Sequence, residues 1–191
     1  MRFAYADPPY IGCAKRYYKD RPDFAGEVDH KELLERLYRE FPEGWALSAS
    51  MTSLWDLIPM IPKDWKCRIA AWAKPYVGSR SGLTIGKPLY AWEPVLWRGG
   101  RKLPKGRVVR DYLVCNNITA QVGRKASGGG LTGAKPDEFC YWIFELLNMM
   151  PEDEFVDLFP GTGRVGRAWD VYKRADMRLF ASAGGERGTP R

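Results

Sequence analysis

Two short stretches of the chain carry residue types and spacings that could do chemistry. The first is Asp7-Pro8-Pro9-Tyr10, which follows a weakly alternating segment at 2–6. Two prolines cannot continue a central strand, so a strand over 2–6 has to stop there. In open α/β sheets, ligands bind just beyond the carboxyl ends of strands. The prolines stiffen the turn and remove two N–H donors, leaving carbonyls to accept from a ligand. A carboxylate beside such a carbonyl is a pair of acceptors, suited to the two hydrogens of an exocyclic amine. Tyr10 adds a flat face on which an aromatic base could stack. A tight turn with an N-capping Asp explains the same four residues equally well. The second stretch runs from Phe155 to Gly166 and includes Asp157, Phe159, Pro160, Gly161, Thr162 and Gly163. It reads as a strand, a glycine turn and a helix start. Glycines let a ligand approach the backbone, and a helix N-terminus favours negative charge. Read loosely it is G-x-G-x-x-G, the dinucleotide fingerprint. That fingerprint wants an acid about 20 residues on, and Glu186 is the acid near that distance. An isolated glycine turn without a ligand remains the plain alternative.

Composition narrows the chemistry. The chain has one histidine, His30, which removes most triads, His-metal sites and His acid–base schemes. Four scattered cysteines (Cys13, Cys67, Cys115, Cys140) form no CxxC pair, so neither a disulfide framework nor a metal site is expected. A reducing compartment, the cytoplasm, is the expected setting. No apolar run approaches the roughly 20 residues that span a bilayer, so no membrane is expected. The 191 residues suit one domain. The formal net charge is +7, from 30 Lys+Arg against 23 Asp+Glu, and it favours an anionic partner.

The elements that must position the two stretches follow from periodicity and punctuation. Asp29 with Glu32 makes a capping box for a helix whose face carries Leu33, Leu34, Leu37 and Phe41, ended by Pro42 and Gly44. Residues 45–50 read as a buried strand, 52–58 as a short helix stopped by Pro59, and 66–73 as a strand closed by Lys74-Pro75. Residues 89–97 read as another strand, with Pro94 placing it at an edge or bulge. Between 98 and 134 the composition changes: Arg98, Arg101, Lys102, Lys105, Arg107, Arg110, Arg124 and Lys125 face Asp111 as the one acid, before Gly128-Gly129-Gly130. This predicts a basic, loop-rich insert. Lys135-Pro136 with Asp137 and Glu138 starts a helix, with Phe139, Ile143, Leu146 and Leu147 as its buried stripe. A strand over 155–159, a helix to about 173 and a further strand over 177–181 complete the reading. The tail 182–191 is expected to be disordered. Alternating strands and helices predict an α/β sheet with helices on both faces.

Together the two stretches resemble the S-adenosylmethionine-dependent amino-methyltransferases that act on adenine N6 or cytosine N4 in DNA. Asp7-Pro8-Pro9-Tyr10 is similar to their catalytic tetrapeptide, and Asp157-Leu158-Phe159-Pro160-Gly161-Thr162-Gly163 to their D-x-F-x-G-x-G cofactor motif. Lys135-Pro136 resembles the K-P segment placed ahead of that motif. Trp72-Ala73-Lys74 and Glu93-Pro94-Val95-Leu96 resemble later W-x-K and E-x-x-L strand segments. The order (catalytic motif, basic insert, Lys-Pro helix, cofactor motif) is similar to the permuted beta arrangement of the family, with small solitary phage or prophage methylases looking nearest. The resemblance implies a Rossmann-like methyltransferase sheet. Residues 1–97 would be its catalytic half, 98–134 a target-recognition insert and 135–181 its cofactor half. The family usually follows the cofactor motif with a strand ending in a ribose-binding acid and then a third strand. No acid ends 177–181, so the sheet is expected to be trimmed at its C-terminal edge.

The resemblance also implies roles. Asp7, Pro8, Pro9 and Tyr10 would be catalytic. Ala6, Asp7, Lys135, Pro136, Asp157, Phe159, Pro160, Gly161, Thr162 and Gly163 would hold S-adenosylmethionine. Acceptors at Asp7 and the Pro8 carbonyl would grip the amine and turn its nitrogen toward tetrahedral geometry, a matter of positioning and electrostatics. DNA would be bound as a duplex with the target base flipped out, or as a single strand. Lys15, Arg16, Arg98, Arg101, Lys102, Lys105, Arg107 and Arg110 would contact its phosphates. The short insert implies a short target site or a homodimer sharing the work. Adenine N6 is the expected target. N4-cytosine, RNA adenosine, and a DNA-binding protein with a degenerate cofactor fold stand as alternatives. A glutamine methylase is disfavoured because its tetrapeptide opens with Asn and its cofactor motif comes first.

Overall fold

Alternation along the first strand decides which side of the molecule each residue joins. In β1 (Arg2–Ala6), Phe3 and Tyr5 enter one core cluster and Ala4 and Ala6 the other, all fully buried. A strand covered on both faces has no polar side, which accounts for the weakness of its pattern. The computed structural model describes residues 1–14, 26–75, 90–116 and 135–183, with side chains described to residue 175 in the last stretch.

Among the described residues one six-stranded mixed sheet forms. Its further strands are β2 (Gly44–Ser48), β3 (Arg68–Ala73), β4 (Trp92–Gly99), β5 (Tyr112–Val114) and β6 (Glu154–Asp157), in the order β5-β3-β4-β2-β1-β6. β1 runs parallel to both β2 and β6, with Tyr5 opposite Ala46 and Asp157. β4 is antiparallel to its neighbours β2 and β3, and β5 runs parallel to β3. The carboxyl ends of β1, β2, β3, β5 and β6 therefore share one edge with the start of β4. Parallel neighbours need long crossovers, usually helical.

The crossovers cover both faces. α1 (His30–Glu40) and α2 (Leu54–Met60) pack Leu33, Leu34, Leu37 and Leu57 against Ala4, Ala6, Trp45 and Leu47. α3 (Asp137–Leu146) and α4 (Arg164–Ala183) cover the other face with Phe139, Trp142, Phe144 and Trp169. Phe144 sits at the centre of an aromatic knot, 5.1–5.3 Å from the rings of Phe155, Trp169 and Tyr172. Asp29 caps α1, accepting from the amides of Lys31 and Glu32 at 3.0 Å.

Several local readings change. Pro94 lies in an interior strand rather than at an edge or bulge. It stands one residue past the last β2 pair, Ser48 with Val95, and its carbonyl still accepts from Ala49. Its missing amide thus falls where that ladder ends. α2 continues through Pro59 to Met60, since a proline late in so short a helix forfeits little. The basic insert is not all loop. Residues 112–114 add strand β5, and the carbonyls of Arg110 and Cys115 accept from the indoles of Trp142 and Trp72 at 2.9 and 3.0 Å. Residues 177–181, expected as a strand, continue α4 to Ala183. No glycine or proline interrupts that helix after Gly166, and Ala, Met, Arg and Leu favour it. Among the described residues β6 is consequently an outer strand of the sheet. Among the described residues no helix is long and apolar enough to cross a membrane.

Candidate active site

The tetrapeptide leaves β1 at the shared edge. Ala6, the last residue of β1, is fully buried opposite Leu47. Asp7 follows, its side chain 24% exposed, and both of its carboxylate oxygens accept from Lys135 Nζ at 2.7 and 2.8 Å. Lys135 is itself buried, with its ammonium 5.8 Å from the ring of Phe139. A buried ammonium needs such a partner. Lys135 immediately precedes Pro136, the N-cap of α3, so the start of that helix is pinned to the end of β1. Pro8 is buried, and Pro9 and Tyr10 are partly so. Tyr10 donates to Glu93 Oε2 at 3.1 Å. Glu93 Oε1 in turn pairs with Lys74. Beneath them Tyr5 and Ser48 share a buried hydroxyl hydrogen bond of 2.7 Å. Burial, and after it the charge of Asp7, push the Tyr5 phenol well above its usual range, so it stays neutral.

The second constellation lies on the neighbouring strand. Asp157 ends β6, and one carboxylate oxygen, Oδ1, accepts from the Phe159 amide at 3.2 Å. Its other oxygen, Oδ2, is buried and has no hydrogen-bond partner among the described residues. Burial raises this carboxyl to about 6, opposed by the Phe159 amide and assisted by the charge of Asp7. The turn that follows has Gly161 at φ 49° and Gly163 at φ 70°, conformations L side chains rarely adopt. The Gly163 amide donates to Pro160 at 2.6 Å, and Thr162 offers its carbonyl to Arg167 at 2.9 Å. Arg164, the first residue of α4, reaches Asp137 of α3 at 3.2 Å, tying the two helix starts together.

Solved structures share this fold. The crystal structure of the M1.HpyAVI–SAM complex matches at TM-score 0.58 and 15% identity, over 91% of this chain and 78% of that one. The crystal structure of M1.HpyAVI matches at TM-score 0.56 and 14% identity, over 91% and 77%. The fold is that of the Rossmann-like methyltransferases. No family model matches the chain, and no curated protein does.

On this methyltransferase fold the residues suggested by sequence fall into three groups. Asp7, Tyr10, Lys135 and the Asp157–Gly163 turn converge at one sheet edge, although Asp7 and Asp157 lie 150 positions apart. The basic residues divide. Arg98 donates to the carbonyls of Trp65 and Pro42 and stacks 4.6 Å over Tyr38. Arg101 clamps the fully buried Asp153 at 2.8 and 2.9 Å, and Arg107 reaches Asn148 at 3.1 Å. These three bind their own chain, Arg107 from an exposed position, and Lys102, Lys105 and Arg110 are exposed as well. Lys15 and Arg16 lie outside the described residues. Reading the sequence missed Asp153 and Asn148 as anchors of the insert. Asn148 stands at φ 48°, and its side chain also donates to Lys102 O at 3.0 Å. Among the described residues no cluster of His, Cys, Asp and Glu could hold a metal ion.

Proposed function

We propose that this protein is an S-adenosylmethionine-dependent DNA methyltransferase acting on the exocyclic amine of a flipped base, adenine N6 above others. The observation that carries the reading is the convergence of Asp7-Pro8-Pro9-Tyr10 with the Asp157 turn on adjacent parallel strands, Tyr5 opposite Asp157. Likeness in fold to a protein crystallised with SAM supports it.

The residues present fit that cofactor. Asp157 Oδ2 is a buried acceptor without a donor, which a ligand ammonium or hydroxyl would satisfy. Gly161 and Gly163 keep the turn free of side chains where a ligand would approach. S-adenosylmethionine supplies a methyl group activated on a sulfonium. Everything else falls to the chain. Lys135 fixes the Asp7 carboxylate, and that carboxylate with the Pro8 carbonyl would accept from the two N–H groups of the target amine. Holding both turns the nitrogen lone pair out of conjugation and toward the methyl donor. No histidine is required. Tyr10 would stack on the base, offsetting part of the flipping cost of about a few kcal/mol. Lys102, Lys105 and Arg110 would meet phosphates.

Incubation with labelled S-adenosylmethionine and duplex DNA, then digestion to nucleosides, tests the reading. Labelled N6-methyldeoxyadenosine is expected. Label in N4-methyldeoxycytidine, or in RNA, would move the target while keeping the reaction. No cofactor binding at millimolar concentration would overturn the enzyme in favour of a DNA-binding protein on the same fold.

A further inference from the structure

The edge that carries Asp7 also carries a second polar chain. Lys74 leaves β3, its amide donating to Ala91 at 2.7 Å, and Glu93 is the second residue of β4. The ladder sets Trp72 opposite Glu93 and Ala73 opposite Trp92, so the two charged side chains emerge from fixed backbone positions. Lys74 lies 4.3 Å over the Trp72 ring and pairs with Glu93 Oε1. Glu93 Oε2 accepts from Tyr10 at 3.1 Å. Because β2 separates β4 from β1, the Tyr10 hydroxyl bridges the end of β2 to reach it.

Glutamate is a poor strand former. Lys74 and Glu93 are 21% and 25% exposed, and ion pairs that reach water add little stability. Their effect is on geometry. Tyrosine has two side-chain torsions, and a ring tethered through its hydroxyl at one end and its backbone at the other keeps its long axis, from Cβ to the hydroxyl oxygen, on one line. That axis is set from the sheet.

We propose that Lys74 and Glu93 are positioning residues that hold the long axis of the Tyr10 ring where it would stack against the target base. The inference rests on the function proposed above. Kinetics of DNA methylation test it in the full chain. Glu93→Ala and Tyr10→Phe should each lower kcat about tenfold with KM for S-adenosylmethionine unchanged, and the double variant should fall no further than the worse single. Glu93→Gln keeps an acceptor for Tyr10 and should stay within about threefold of wild type. Lys74→Met should lower kcat in the wild-type background and leave it unaltered in Tyr10→Phe. If Glu93→Ala shows no cooperative melting transition, the Glu93→Gln, Lys74→Met and Tyr10→Phe combinations complete the cycle. Wild-type kcat in Glu93→Ala, or losses that multiply in the double variant, would overturn the positioning role alone. A wild-type protein that methylates no nucleic acid overturns the function and this inference with it.

Discussion

Asp157 offers the sharpest test of the site, because the same atom predicts opposite effects on stability and on binding. Its carboxyl is raised from 3.8 to about 6, by burial before any other cause. The folded protein thus keeps a proton that the unfolded chain has already released. The contribution of this carboxyl to stability is greatest below about pH 4, falls as pH rises toward 6, and is lost above that. Two units of displacement correspond to about 3 kcal/mol. Water reaches part of this carboxyl, so about 1–2 kcal/mol is the reasonable expectation. Asp157→Asn retains an acceptor for the Phe159 amide and removes the charge. At pH 7.5 the variant should be more stable by that amount, with Tm higher by about 4 °C, and its stability should vary less between pH 4 and 6. Affinity for S-adenosylmethionine should fall, since the lost oxygen is the one proposed to meet the ligand, a trade of function against stability. Thermal melts across pH, with calorimetric titration of the cofactor, measure both. A variant no more stable than wild type at pH 7.5, or a difference that stays constant from pH 4 to 7.5, would refute the reasoning.

Other perturbations separate the remaining roles. Asp7→Ala should abolish methylation in the labelled-cofactor assay while part of the cofactor affinity survives by calorimetry. The same change should lower Tm, because Lys135 is left buried without this carboxylate. Arg101→Ala should cost about 3 kcal/mol in urea denaturation, since it strips the guanidinium from a fully buried carboxylate. Although burial opposes ionisation of Asp153, hydrogen bonds from Arg101, the Met1 ammonium and the Met150 amide hold it below the usual carboxylate range. That contribution is present at neutral pH and lost as pH falls through the lowered value. Lys102→Ala and Lys105→Ala should each reduce the salt slope of DNA binding by about 1, read by anisotropy of a labelled duplex, with little change in Tm. Arg101→Ala should leave that slope unchanged.

What the sequence disclosed followed from local rules, and what it hid depended on partners far along the chain. Asp29 capping α1, the strand ending at Asp7-Pro8 and the glycine turn after Asp157 are each specified within a few residues, and all three are present. The strand expected over 177–181 failed because a short apolar run does not distinguish strand from helix. Continuity with α4 decided it. Tyr112-Leu113-Val114 was submerged in a basic stretch, and its strand character shows only where β3 supplies a neighbour. Pro94 was excluded from a sheet interior by a sound rule. The exception required knowing where β2 ends.

The basic insert shows most clearly why composition alone does not say what each charge meets. Its arginines read as a phosphate-binding surface because charge was all that could be counted. In the folded chain the guanidinium fork goes where several acceptors converge: Arg98 on two carbonyls, Arg101 on a bidentate carboxylate, Arg107 on an amide. The exposed lysines, with their compact ammonium groups, face solvent. Arg98, Arg101 and Arg107 therefore fasten the insert to its own chain, while Lys102, Lys105 and Arg110 remain for a partner. The insert departs from β4 and rejoins the sheet as β5, beside the strand that supplies Lys74.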